Sequence, residues 1–191
     1  MDVKRVRDWL QSPAATRTAA LWGFTEGTLF FFIPDIIFTA TALFSIRAAS
    51  RQIAAVLAGA LVAGMLMFSI ATFEPTATRD VVSGVPFVRD RMFANVDREY
   101  RELGPWALVQ GPMRGTPYKV YAVEGPQHTN LLTFLLISLP ARLLRFIVTA
   151  VIFSRIGALL RRWPPRALAF HLAAWAGVYV YYWTAILRGD R

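Results

Sequence analysis

Cysteine is absent from the 191-residue chain and histidine occurs only twice. That excludes disulfide scaffolds, thiol chemistry and cysteine-based zinc sites. Charge is scarce as well: Asp, Glu, Lys and Arg make up 17% of the residues, against roughly a quarter in an ordinary soluble domain. There is no Gly-x-x-x-x-Gly-Lys loop, so nothing points to a nucleotide-driven pump. What is present is apolar and basic: 55% hydrophobic, 14% aromatic, with 21 Lys+Arg against 12 Asp+Glu. A disordered basic tail does not carry so much apolar sequence, and basic nucleic-acid binders seldom do. The combination describes a membrane protein with Arg-rich connecting loops, organised as a single membrane domain, residues 1–191.

The positions of the charges outline the architecture. Residues 52–73 and 167–187 contain none. At ~1.5 Å per residue either run covers the ~30 Å hydrocarbon core, so both read as transmembrane helices. The second ends in Tyr179, Tyr181, Tyr182 and Trp183, which suits a membrane–water interface. His171, near its other end, reads as an interfacial residue, because no carboxylate stands at a metal-like spacing from it. Ala55, Gly59 and Ala63 form a small-residue stripe along 52–73. The stripe reads as close packing inside the fold, with a homodimer face as the alternative.

Other apolar stretches carry isolated charges. Residues 18–46 hold only Glu26 and Asp35, with Pro34 beside the second. Residues 125–154, with a third spanning helix placed at 130–154, hold only Arg142 and Arg145, just past Pro140. A charge at mid-bilayer costs about 2.5–3.5 kcal/mol even on the lenient insertion scale, so these four should face protein or a wet interior. Residues 74–103 are charge-balanced and extramembrane. Phe87, Val88, Met92, Phe93, Val96 and Tyr100 recur there at helical spacing, giving an amphipathic helix that lies on the membrane or packs on its own protein. The basic N-terminus, 1–17, is amphipathic (Val3, Val6, Trp9, Leu10) and shows no cleavable signal pattern, so the segment from position 18 is expected to stay in the protein.

The stretch from Trp22 through Glu26 to Pro34-Asp35 does not read as an ordinary spanning helix. Proline removes a backbone donor and pushes the preceding residue out of helical geometry. Irregular backbone at membrane depth is tolerated only inside protein or along a cavity. A re-entrant hairpin over 18–46 fits, with Glu26 on one arm and Asp35 at the start of the other. A second broken segment, 104–126, contains Gly111-Pro112, Arg114, Pro117 and Lys119. The chain thus repeats one unit, a broken charged segment followed by a spanning helix, with acids in the first copy and bases in the second. Paired discontinuous segments point to a transport site near the midplane. The Lys/Arg counts on the two sides do not distinguish a hairpin over 18–46 from a full crossing.

Gly23-Phe-Thr-Glu26, Phe-Phe-Phe-Ile-Pro34-Asp35, Arg114-x-x-Pro117-Tyr-Lys119 and Ser138-x-x-x-Arg142-x-x-Arg145-Phe, in this order, resemble the YqaA-like branch of the DedA superfamily. That superfamily shares a domain with VTT (SNARE-associated-type) lipid scramblases, and the resemblance covers about residues 20–155. It implies an all-α integral membrane protein with two re-entrant hairpins in inverted arrangement, about three transmembrane helices and an amphipathic surface helix. It also implies lipid transport in the bacterial inner membrane, with undecaprenyl phosphate or a phospholipid as substrate and protons as the coupling ion. The family's acidic pair falls on Glu26 and Asp35 and its first essential arginine on Arg114. Where the main branch has a second arginine, three residues after the motif proline, this chain has Val120, with Lys119 one place earlier. A compact ammonium does not grip phosphate bidentately as guanidinium does.

A lipid phosphate crossing the bilayer needs its charge balanced throughout. Arg114 and Lys119 would supply that balance from one hairpin, and Arg142 and Arg145, on one helix face, from the following helix. Glu26 and Asp35 would either pair with these arginines or take up protons. The expected class is therefore a flippase or scramblase, not an enzyme, with no cofactor beyond a proton gradient and no nucleic-acid partner. A non-catalytic membrane scaffold is the alternative. A lipid-phosphate-processing enzyme is weaker, since neither His128 nor His171 has an Asp or Ser partner at motif spacing.

Overall fold

A computed structural model of the chain describes residues 2–30 and 32–188, without the side chains of residues 112–114, 182 and 185–188. All described elements are helical. In order they are α1 (Val3–Leu10), α2 (Pro13–Gly27), α3 (Asp35–Ala42), α4 (Ile46–Phe73), α5 (Pro75–Ser83), α6 (Asp90–Leu103), α7 (Ala107–Arg114), α8 (Tyr118–Glu124), α9 (Leu131–Leu159) and α10 (Pro164–Arg188). Short 3-10 turns lie at Gly104–Trp106 and Gly125–Gln127.

Among the described residues two helices, α4 and α9, are long and apolar enough to cross a membrane. Each is longer than the span expected for it, 52–73 for α4 and 130–154 for α9. α4 begins at Ile46 because Ser45 caps it, its hydroxyl accepting the Ala48 N–H, so Arg47 and Arg51 ride on its first turns. α9 starts behind the Asn130 cap and runs through Pro140 to Leu159. The missing proline N–H removes one backbone bond without ending the helix. The two helices are antiparallel: Phe68 meets Phe134 with ring centroids 5.1 Å apart, while Gly157 lies against the backbone of Leu43, which ends α3 just before α4 begins.

Both broken segments fold back on themselves. Ser12 caps α2, whose first residue is Pro13, a position where the absent N–H costs nothing. α2 then runs beside α4 on small residues. A Cβ at Gly23 would strike the Val56 carbonyl, and one at Gly59 the Ala20 carbonyl. Gly27 lies against Ala63, so the stripe's Gly59 and Ala63 serve internal packing. After residues 28–34 the chain returns as α3. The Leu10 carbonyl accepts from Thr41 Oγ1 at 3.3 Å and from Gln52 Nε2 at 2.7 Å, which ties the end of α1, the end of α3 and the first turns of α4 to one end of the molecule.

The second hairpin enters from the other end. α7 closes on Gly115 in the left-handed region, φ 73°, a conformation glycine adopts without steric cost. Pro117 then starts α8, whose Tyr118 lies against Gly64 and whose following Gly125 lies against Phe68, so α8 points to the C-terminal end of α4. Gly111 packs on the Tyr121 ring, pairing the two arms.

The region 74–103 holds two helices rather than one. Phe87 and Val88 precede α6, and Phe87 has φ 71°. The apolar face of α6 (Phe93, Val96, Tyr100) is buried in a core shared with α8 and α9, so this face packs on the protein itself. α10 covers the expected 167–187 segment as one helix, but among the described residues it is not one of the two helices long and apolar enough to cross a membrane. His171 is buried there, not interfacial: its Nε2 lies 3.0 Å from Thr39 Oγ1 and its ring meets Phe153 edge-on. Tyr179, expected at an interface, instead accepts the Ile33 N–H at 2.9 Å.

Candidate functional site at the hairpin tips

Because the hairpins enter from opposite ends of α4, their tips meet near its middle. The described residues between α2 and α3, 28–30 and 32–34, are irregular as their composition dictates: α2 ends at Gly27, and Pro34 cannot continue a helix backwards. The ammonium of Lys119, on the first turn of α8, donates to the Phe30 carbonyl in that stretch at 2.7 Å. One hairpin thus grips the backbone of the other.

α9 supplies the counter-charges. Arg142 Nη2 lies 2.8 Å from Glu26 Oε2, with side-chain exposures of 6% and 12%. Arg145 Nη2 lies 3.0 Å from Asp35 Oδ2, exposed 29% and 2%. The three-residue separation of the arginines puts both on one face of α9, so one face reaches both arms of the first hairpin. Glu26 and Arg142 also lie within electrostatic range of Lys119. The site is therefore one coupled cluster with two acids and three cations.

Aromatic rings enclose it. The Arg142 guanidinium sits 4.5 Å above the Tyr118 ring and 5.5 Å from the Phe146 ring centroid, and Arg145 sits 5.0 Å from Phe146. Such contacts stabilise a desolvated guanidinium. Tyr118 is itself held by donating to Ser138 Oγ at 3.0 Å. The Nε atoms of Arg142 and Arg145 are buried and lack an acceptor among the described residues. Each guanidinium therefore carries one N–H that no described residue accepts.

Of the six residues expected at the site, Glu26, Asp35, Lys119, Arg142 and Arg145 come together. Arg114 closes α7, but its side chain lies outside the described residues. Sequence reasoning missed Tyr118 and Ser138, although both lie within the quoted motifs. It also missed Glu99, which is buried and accepts from the Tyr121 hydroxyl at 2.5 Å. Nothing at sequence level separates Glu99 from the solvated charges around it. On the same α6, Tyr100 donates to the Tyr121 carbonyl at 3.1 Å, and burial holds its phenol well above its ordinary pKa. His128, partnerless by motif spacing, has a partner in space: its Nε2 is 3.0 Å from Asp97 Oδ1, and its ring stacks on Tyr100.

Fold and site together define an all-helical chain with two helices of membrane-crossing length and a buried charge cluster between two opposed hairpins. The chain matches no family model, no curated protein and no solved structure.

Proposed function

We propose that the chain is a translocase of the bacterial inner membrane that moves a phosphate-bearing lipid, undecaprenyl phosphate or a phospholipid, between leaflets. The observation that carries this reading is the meeting of two opposed hairpins at a cluster with more cationic than anionic groups and two unused guanidinium donors. In this reading α2–α3 and α7–α8 are re-entrant hairpins and α4, α9 and α10 span the bilayer. Support for a membrane comes from the outer faces. Leu132, Leu136, Leu144, Val148, Val151 and Ile152 on α9, with Val62, Leu66, Ile70 and Phe73 on α4, are exposed apolar side chains. Apolar patches of this extent are uncommon on soluble monomers. The resemblance to the DedA superfamily supplies the substrate class.

The chemistry follows from charge balance. At rest, Glu26 and Asp35 neutralise Arg142 and Arg145. A lipid phosphate arriving at the tips offers oxyanion geometry that guanidinium matches better than a single carboxylate does. As it takes the arginines, the displaced carboxylates lose their counter-ions in a dry setting and favour protonation. A proton thus accompanies each phosphate, and a proton gradient becomes a driving force.

The test is leaflet exchange in proteoliposomes, using a fluorescent phosphorylated lipid with a chemical quencher outside. Wild type is expected to accelerate exchange, while Glu26→Ala, Arg142→Ala and Arg114→Ala abolish it. Exchange at the rate of protein-free vesicles would end the proposal. A scaffold reading is favoured by one observation, the closure of both ion pairs in the resting chain, and is separated from transport by the paired variant described in the Discussion.

A further inference from the structure

Four backbone groups at the first hairpin's tip are already paired. The Phe30 carbonyl accepts from Lys119, the Phe32 carbonyl from Trp22 Nε1 at 2.8 Å, and the Ile33 N–H donates to Tyr179; the Phe30 N–H bonds to the Thr25 carbonyl. With these four groups bonded to two other elements and its own arm, the described part of this stretch leaves Leu29, Phe30 and Phe32 as its exposed large side chains. Phe30 and Phe32 are each 47% exposed. Their rings are 5.3 Å apart, and Phe32 lies 5.5 Å from the Tyr179 ring. One turn further along α10, Trp183 meets Phe87 edge-on at 5.0 Å, and Phe87 is the described non-glycine residue with a left-handed backbone. An aromatic line therefore runs from the charge cluster, along α10, to the loop before α6.

We propose that Phe30, Phe32, Tyr179, Trp183 and Phe87 form the track on which the hydrocarbon tail of the lipid lies while its phosphate is held at the hairpin tips. The proposal rests on the lipid-translocation reading. A phosphate at the middle of α4 requires its tail to leave sideways, and this line begins on the residue whose carbonyl holds Lys119. Headgroup charge and tail surface are thus continuous within one residue. Flat aromatic faces offer a tail contact area at low cost in conformational entropy, without specifying its length or unsaturation. The occupant is the tail of a phosphorylated lipid; bulk bilayer lipid is the competing outcome.

The experiment uses full-length protein in phosphatidylcholine vesicles containing a trace of phosphatidic acid that bears a photoreactive diazirine on its tail. After irradiation, cross-links are mapped by peptide. Expected are cross-links within 28–34 and 179–183 that excess unlabelled phosphatidic acid removes and diacylglycerol, with the same tails and no phosphate, does not. Cross-links on the outer face of α9 (Leu144, Val148, Ile152) should respond alike to both competitors. Lys119→Gln should lower the phosphate-dependent signal about tenfold, the loss expected for one charge-assisted hydrogen bond. Phe30→Leu/Phe32→Leu, which keeps the apolar volume, should weaken it less than Phe30→Ala/Phe32→Ala. Cross-links spread evenly between the track and α9, or competed equally by diacylglycerol, overturn the proposal. Leaflet exchange in the same vesicles reports on the transport reading separately: exchange without phosphate-dependent cross-links sinks the track alone, whereas such cross-links without exchange support the track and sink transport.

Discussion

Arg142 is bound on three sides, by Glu26, the Tyr118 ring and the Phe146 ring, and its removal and its isolation have different consequences. Glu26→Ala strands a buried guanidinium, a change expected to cost about 3–5 kcal/mol, visible as a lower thermal unfolding midpoint in detergent. Glu26→Leu/Arg142→Met removes both charges and should recover most of that midpoint, because an apolar replacement of a buried pair is near neutral. Lipid exchange then separates the two readings: the double variant is inert if the pair handles phosphate and unimpaired if it only holds the hairpin. The four charges of the two pairs were legible in the sequence because each is isolated among apolar residues, where desolvation demands a partner. The partner of Lys119 was not, since a backbone carbonyl leaves no signature in residue type. Glu99 and Asp97 were hidden for another reason. They sit among charges that are solvated, and only the fold turns them towards Tyr121 and His128.

At the scale of elements, the breakers gave the hairpins and the caps gave their limits. Ser45 and Asn130 set where α4 and α9 begin, a signal that a count of uncharged residues does not use. Pro140 shows the reverse: a residue that breaks short segments is carried inside a long helix whose packing outweighs one lost backbone bond. The contact between α2 and α4 depends on glycine at crossing points. Gly23→Ala places a methyl group against the Val56 carbonyl, where neither backbone can yield alone, and overpacking of this kind costs about 1–3 kcal/mol. A drop in unfolding midpoint, with slower lipid exchange as Glu26 moves relative to Arg142, is the expected result. Gly177→Ala is the matched control, since nothing lies within 4 Å of the added methyl. It should hold or raise the midpoint, alanine being better in a helix by up to about 1 kcal/mol. Equal effects of the two substitutions would refute close helix approach as the reason for Gly23.

For the whole molecule, the property that decides the proposed reading is that two hairpins reach only partway along α4, so in that reading the chain returns to each end without crossing the bilayer. The Leu10 carbonyl, bonded by Thr41 and Gln52, places α1, the end of α3 and the start of α4 at one end. Gly157 against Leu43 brings the end of α9 there as well. α5 and α6 belong to the other end, beyond Phe73. Natural cysteine is absent, so each introduced thiol is unique. At exposed positions on one end, Asp8→Cys, Arg47→Cys and Arg161→Cys should react with an impermeant thiol reagent from the same side of the membrane, and Asp80→Cys and Glu102→Cys only from the opposite side. Reaction of Arg47→Cys together with Asp80→Cys would mean that residues 13–42 cross the bilayer. Glu26 and Asp35 would then sit on a spanning helix, and the tip-to-tip contact of Lys119 with Phe30 would not mark the midpoint. Reaction of Arg47→Cys with Asp8→Cys supports a re-entrant hairpin whose tip contact, beside the middle of a spanning α4, lies at mid-depth, where a charged headgroup meets its highest barrier. It leaves only half the membrane thickness between the cluster and either aqueous face.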